Sequence, residues 1–219
     1  MQLIDLSQTI APDMPLFSES APRPEIGAWM SHADAAASGH YEGCTCEVTQ
    51  VSFVTSLSTY LDAPYHFDPD GSAIDQLPLE ACVLPGVCVD ARPCEPQQEL
   101  GPALFDGLDV AGKAVLVCTG WSAHWGQPRY REYPFLGAEA AQYLRDAGAK
   151  LVGVDTLVID DTRDPRRPAH VTLLHAGILI VENLRALDAL LGRAFTFHAA
   201  PVKVAGAAAF PVRAYATLT

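Results

Sequence analysis

The 219-residue chain reads as an α/β protein, a mixed sheet with helices packed on it. Three observations predict this. The short, continuously apolar runs Ala114–Cys118, Leu151–Val154 and 178–181 are bounded by turn residues, the pattern of strands covered on both faces. Between the first two lies segment 138–148, with apolar positions at helical spacing and Gly148 where a C-cap belongs, so the succession is strand, helix, strand. Strand-like segments also stand near both chain ends, with the helices in the middle. That arrangement points to a mixed sheet.

In chain order, Leu3-Ile4-Asp5-Leu6 is strand-like, and segment 12–24 carries Pro12, Pro15, Pro22 and Pro24, which predicts an extended surface arm. Segment 47–54 alternates apolar and polar residues with β-branched enrichment, as a half-buried strand does. After the three apolar runs, 184–191 followed by Gly192 predicts a second helix. Phe195-Thr196-Phe197 and Val212-Arg213-Ala214-Tyr215 predict terminal strands. No GxGxxG follows a strand, which disfavours a plain nucleotide-binding fold. The chain is read as one domain, 1–219.

Composition narrows the function. With 49% hydrophobic residues but no run of eighteen, no membrane-spanning helix is expected. Fourteen basic against 26 acidic residues give a net charge of −12, so nucleic acid is not an expected partner. The first residues lack the basic and long apolar parts of a signal peptide, and a cytoplasmic location is expected. Six cysteines without a CxxC pair read as free thiols or small buried hydrophobes, not as a zinc site.

Two constellations can carry chemistry. In Asp62-Ala63-Pro64-Tyr65-His66, the proline fixes one φ between an acid and an imidazole and so holds them in a defined loop. The second is His170, opening a short helical segment, with Glu182 at the end of the apolar strand behind it, where a carboxylate must find a partner or be neutralised. Taken alone, Asp62 is a turn residue, His66 a surface histidine and Glu182 half of a salt bridge. Together Asp62, His66, His170 and Glu182 are the ligand types that Zn²⁺ or Mn²⁺ prefers.

The order and spacing resemble the cyclase family of metal-dependent hydrolases, whose signature HxGTHxDxPxH aligns on Thr59, Asp62, Pro64 and His66. The likeness extends through Asp5-Leu6-Ser7 with Met14-Pro15, Thr119-Gly120-Trp121 with His124-Trp125-Gly126, Gly153-Val154-Asp155-Thr156, and His170 to Glu182-Asn183-Leu184. It implies a swivelling β/β/α fold, a homodimer or homotetramer, and hydrolysis of an amide, formamide or lactam C–N bond in a small carbonyl substrate. In members with two ions, the second histidine, the aspartate and the last histidine of the signature hold one, and the aspartate bridges to another held by the equivalents of His170 and Glu182.

This chain departs from the signature at Ser56, Ser58 and Tyr60, which stand for its first histidine, its glycine and its second histidine. A neutral phenol is a poorer ligand than imidazole. Three outcomes follow: Tyr60 binding as phenolate, a single ion on Asp62, His66, His170 and Glu182, or a metal-free site with Tyr60 donating to an oxyanion. The single ion, zinc or manganese, is the expectation, with Tyr60, His66 and His170 as the catalytic groups. The alternatives are a metal-independent cyclase, dehydratase or lyase using Tyr60 and His66 as acid and base, and a non-catalytic small-ligand binding protein. Trp121, His124 and Trp125, beyond a strand end where α/β folds place ligand loops, are candidate pocket residues, and Phe17 in the arm is a candidate lid over an aromatic substrate. Asp160-Asp161 with Arg163, Asp164, Arg166 and Arg167 reads as a solvated loop of local charge pairs, Asp155 as a turn cap, and His175 as pointing away from His170.

Overall fold

The computed structural model describes residues 1–218. Its strands are β1 (Gln2–Asp5), β2 (Glu25–Met30), β3 (Val48–Ser52), β4 (Tyr60–Asp62), β5 (Val83–Asp90), β6 (Glu99–Leu100), β7 (Ala114–Cys118), β8 (Phe135–Leu136), β9 (Leu151–Val154), β10 (Leu179–Glu182), β11 (Phe195–His198), β12 (Ala209–Pro211) and β13 (Tyr215–Leu218). The α-helices are α1 (His32–Ala37), α2 (Leu79–Cys82), α3 (Ala138–Asp146) and α4 (Pro168–Leu174). Nine strands form one mixed sheet in the order β1-β13-β11-β5-β7-β9-β10-β4-β12. Its centre, β5-β7-β9-β10, is parallel, and the flanks are antiparallel.

The apolar runs are strands because both faces are covered. Along β7, Ala114, Leu116 and Cys118 enter one core with Leu61, Leu151, Val181 and Phe197, while Val115 and Val117 enter another with Val152, Ile180, Leu144 of α3 and Leu173 of α4. Alternation with period two assigns neighbours to opposite cores, so neither face can be polar. Helix α3 ends as its sequence predicts: Gly148 has φ 83°, and Ala149 N donates to Leu144 O at 3.0 Å. No helix among the described residues is long and apolar enough to cross a membrane.

Four expectations need correction. The strand in 47–54 exists as β3, but every residue of it is exposed, because it pairs only with β2 in a two-stranded ribbon clear of the main sheet. Its alternation therefore reports β propensity, not burial. The helix expected over 184–191 is a single 3₁₀ turn, Leu187–Leu190, entered through a left-handed Ala186. Val212-Arg213-Ala214 connect β12 to β13, so the last strand starts at Tyr215. The proline-rich arm is anchored by Met14 and Leu16, both buried, and Leu16 bridges to Leu57.

Candidate metal centre

Strand β4 carries the site. Tyr60 and Asp62 are two residues apart and share the face under α3 and α4, while Leu61 between them enters the opposite core. Antiparallel pairing then sets Glu182 of β10 opposite Tyr60, and Ile180 opposite Asp62. The Tyr60 hydroxyl accordingly bonds Glu182 Oε2, and Ile159 N donates to Glu182 Oε1 at 2.7 Å. The glycine of the signature has a backbone reason: Ser58 takes φ 57° there, a left-handed conformation in which the serine is held by donating to Gln8 O at 3.0 Å.

After β4 the chain turns at Ala63, and Pro64 opens a 3₁₀ turn ending at His66. This returns His66 Nε2 to 3.6 Å from Asp62 Oδ1. From the other side, α4 brings His170 Nε2 to 3.8 Å from Asp62 Oδ2 and 3.4 Å from Glu182 Oε1. One ligand atom each from Asp62, His66 and His170 fall within 4.8 Å of one another. Phe67 stacks on the His170 ring, centroids 4.6 Å apart, and keeps it from turning.

The test of whether these residues suit a cation is Asp62 itself. It is fully buried, and neither of its carboxylate oxygens has a hydrogen-bond partner. An unpaired buried carboxylate is unfavourable by several kcal/mol in order of magnitude unless a cation or a proton neutralises it. Burial and Glu182 push the Asp62 carboxyl well up, burial also raises Glu182, and without a cation this pair holds a proton. His66 is driven the other way, down to about 4, by burial and by His170. Its contact with Asp62 is therefore no ion pair, and the neutral ring keeps a lone pair free for coordination. The residues fit a metal ion.

One participant escaped sequence reasoning. Asp160, placed with a solvated loop, is fully buried, and this corrects that reading. It accepts from Ala169 N at 2.7 Å, from His170 N at 3.0 Å and from His170 Nδ1 at 2.6 Å. It thus caps α4 from a distance and keeps the ring proton on Nδ1, leaving Nε2 bare toward Asp62. The pairs expected along the loop form at the surface, Arg163 on Asp161 and Arg166 on Asp164.

A cavity of about 170 Å³ opens onto the site, lined by Tyr60, His66, Phe67 and His170 together with Phe17, Ser56, Val158, Thr162 and Arg167. Phe17 reaches it from the same chain. Trp121, His124 and Trp125 do not line it, which corrects the expectation. Trp121 is buried against Tyr130 and Tyr133 with His124 at its edge, and Trp125 packs on Tyr130. The loop after β7 is turned away because buried Asp155 accepts from Thr119 N and Gly120 N, each at 2.9 Å. His175, at the far end of α4, meets Phe67 O at 3.1 Å and stays outside the ligand set.

A buried carboxylate between two imidazoles, at the mouth of a small cavity over a mixed sheet, defines an α/β protein whose site has the residues to hold a metal ion. The family model described as "Putative cyclase" matches residues 4–161, and the chain belongs to this cyclase family. A kynurenine formamidase from Bacillus cytotoxicus is 30% identical over 168 residues, covering 76% of this chain and 78% of the relative. Isatin hydrolase A from Labrenzia aggregata, solved with benzyl benzoate, superposes with TM-score 0.86 at 25% identity, covering 100% of this chain and 94% of the other. A "predicted metal-dependent hydrolase" from Bacillus stearothermophilus gives TM-score 0.79 at 26% identity, with 98% and 97% covered. The fold expected from the resemblance is the fold these structures share.

Proposed function

We propose that this protein hydrolyses a C–N bond, in an amide, formamide or lactam, of a small carbonyl substrate at a single zinc or manganese ion. The observation that carries the proposal is the pair of partnerless, buried Asp62 oxygens facing the nitrogens of His66 and His170. Those three residues would hold the ion, and Glu182 stands beside them, its Oε1 3.4 Å from His170 Nε2. An ion held there would acidify a water and polarise the carbonyl under attack. The kynurenine formamidase and isatin hydrolase relatives support this chemistry over the metal-independent and non-catalytic readings.

The chain's own residues handle the protons. Burial, together with Glu182 and Asp62, pushes the Tyr60 phenol well up, so it stays protonated at neutral pH and acts as a donor, not as a phenolate ligand. Tyr60 lines the cavity while bonded to Glu182. The proton that the attacking water gives up to Glu182 reverses the sense of that hydrogen bond and turns the phenol hydrogen toward the substrate oxygen. His66 would be committed to the ion through its ring nitrogen, so the proton that Glu182 takes from the attacking water is the one passed on, by way of the Tyr60 hydroxyl, to the leaving nitrogen.

Elemental analysis of protein purified without chelator tests the proposal, with close to one equivalent of a transition metal expected. Chelator treatment is expected to abolish turnover of a panel of aryl formamides and lactams, and Zn²⁺ or Mn²⁺ to restore it. Less than a tenth of an equivalent, with no activation by either ion, overturns the metal-hydrolase reading. Tyr60→Phe is expected to slow turnover about 10²-fold, the scale of one oxyanion donor, while metal content stays unchanged. A fall in metal content instead would make Tyr60 a ligand.

A further inference from the structure

We infer that Arg167 recognises a carboxylate on the substrate, making the substrate class small carbonyl compounds that carry a carboxylate beside an apolar body; this rests on the hydrolase reading of the site. Arg167 lines the same cavity as His66 and His170. Its Nη1 is buried without a hydrogen-bond partner, and its guanidinium forms no ion pair among the described residues. Every nearby acid of the loop is already engaged. Asp161 holds Arg163 at 2.8 Å, Asp164 holds Arg166 at 2.7 Å, and Asp160 serves the start of α4. Of the three loop arginines, Arg167 alone lines the cavity and alone has no acid partner.

The backbone at this position is unusual as well. Arg167 has φ 48° and ψ 57°, a left-handed conformation that residues with a side chain rarely adopt and that tends to mark functional positions. It stands at the N-cap of α4, three residues before His170, and both side chains line the cavity. A buried cationic nitrogen without a partner is unfavourable, and a ligand supplying two coplanar oxygens relieves it. The flat guanidinium fork matches a carboxylate in that way. Phe17, Phe67 and Val158 supply apolar wall, and the volume takes one aromatic ring. The chain carries a net charge of −12, which on its own repels anions, so a local cation in the cavity is what allows an anionic substrate to enter.

Isothermal titration of the full-length protein with benzoate and with benzamide tests this, both as purified and after chelator treatment, which removes any metal from competition for the carboxylate. Benzoate is expected to bind at least ten-fold tighter than benzamide in both preparations. Arg167→Leu is expected to abolish that preference, Arg167→Gln, which keeps a donor, to weaken it, and Arg166→Leu to leave it intact. Equal or absent binding of the two probes by the parent overturns the inference, as does a preference that survives Arg167→Leu. The hydrolase reading is judged apart from it: metal-supplemented protein that cleaves neither formanilide nor 2-formamidobenzoate overturns that reading, whatever the titrations show.

Discussion

Asp62→Asn is expected to leave the fold intact, strip the protein of its metal and lower turnover about a thousand-fold. That factor corresponds to roughly 4 kcal/mol of transition-state stabilisation, within what a bound ion contributes through charge. The effect is large because Asp62 is the one anionic member of the compact ligand set, fully buried and with both oxygens unspent. The stability of the metal-free protein should move in the opposite direction. Its Asp62 carboxyl is raised well above the ordinary value by burial and by Glu182. The stabilising contribution of the neutral form is therefore complete below the unfolded-state pKa of about 4 and is lost as pH rises through the folded-state value. Chelated parent protein should thus melt at progressively lower temperature as pH is raised, and chelated Asp62→Asn should show a flatter profile and melt higher than the parent at alkaline pH. Metal-loaded parent should not show the loss. Thermal melts across pH with and without chelator check the pattern, and identical profiles for parent and variant would remove Asp62 from the account.

Asp160→Ala is expected to be costly in two separate ways. It removes an acceptor from three buried donors, Ala169 N, His170 N and His170 Nδ1. Leaving buried donors unpaired costs about 1–3 kcal/mol each, so a loss of about 3 kcal/mol or more is expected in denaturant melts. It also frees the His170 ring, which should weaken metal binding about 10- to 100-fold. Asp160→Asn separates the effects. Its one oxygen can take the place of Oδ1, accepting from Ala169 N, or that of Oδ2, accepting from His170 N, but not both, so stability returns only in part; with the amide nitrogen toward Nδ1 the ring favours the tautomer that carries its proton on Nε2. Metal affinity should then stay low in a well-folded protein. If Asp160→Asn restores both, Asp160 is only a helix cap.

Much of the framework was legible in the linear order of residues. Ala114–Cys118 and Leu151–Val154 are β7 and β9 to the residue, because an apolar run of that length between turn signals has no other way to be covered on both sides. Asp62, His66, His170 and Glu182, singled out by residue type and spacing, lie side by side in the structure, and Phe17 lines the cavity next to them. What escaped was the environment of polar residues. Asp160 and Asp161 are neighbours of identical composition, yet one is fully buried under α4 and the other pairs with Arg163 at the surface. Trp121 and Trp125 were placed near the ligand end of a strand, but Asp155 holds the start of that loop, Trp121 is buried against Tyr130 and Tyr133, and neither tryptophan lines the cavity.

The α/β class was readable from the linear order of residues because periodicity and turn chemistry are local, and the family from the resemblance its motifs carry. Only the tertiary structure decided what the site residues meet. The bond from Tyr60 to Glu182 spans 122 positions and exists because β4 and β10 pair antiparallel in one register. Shifting that register by one residue would send Tyr60 and Asp62 to the opposite core. The same holds for the orphaned Asp62 oxygens and the unpaired Arg167 nitrogen. Whether a buried charge is matched depends on the sum of its neighbours in space, and no window along the chain contains that sum.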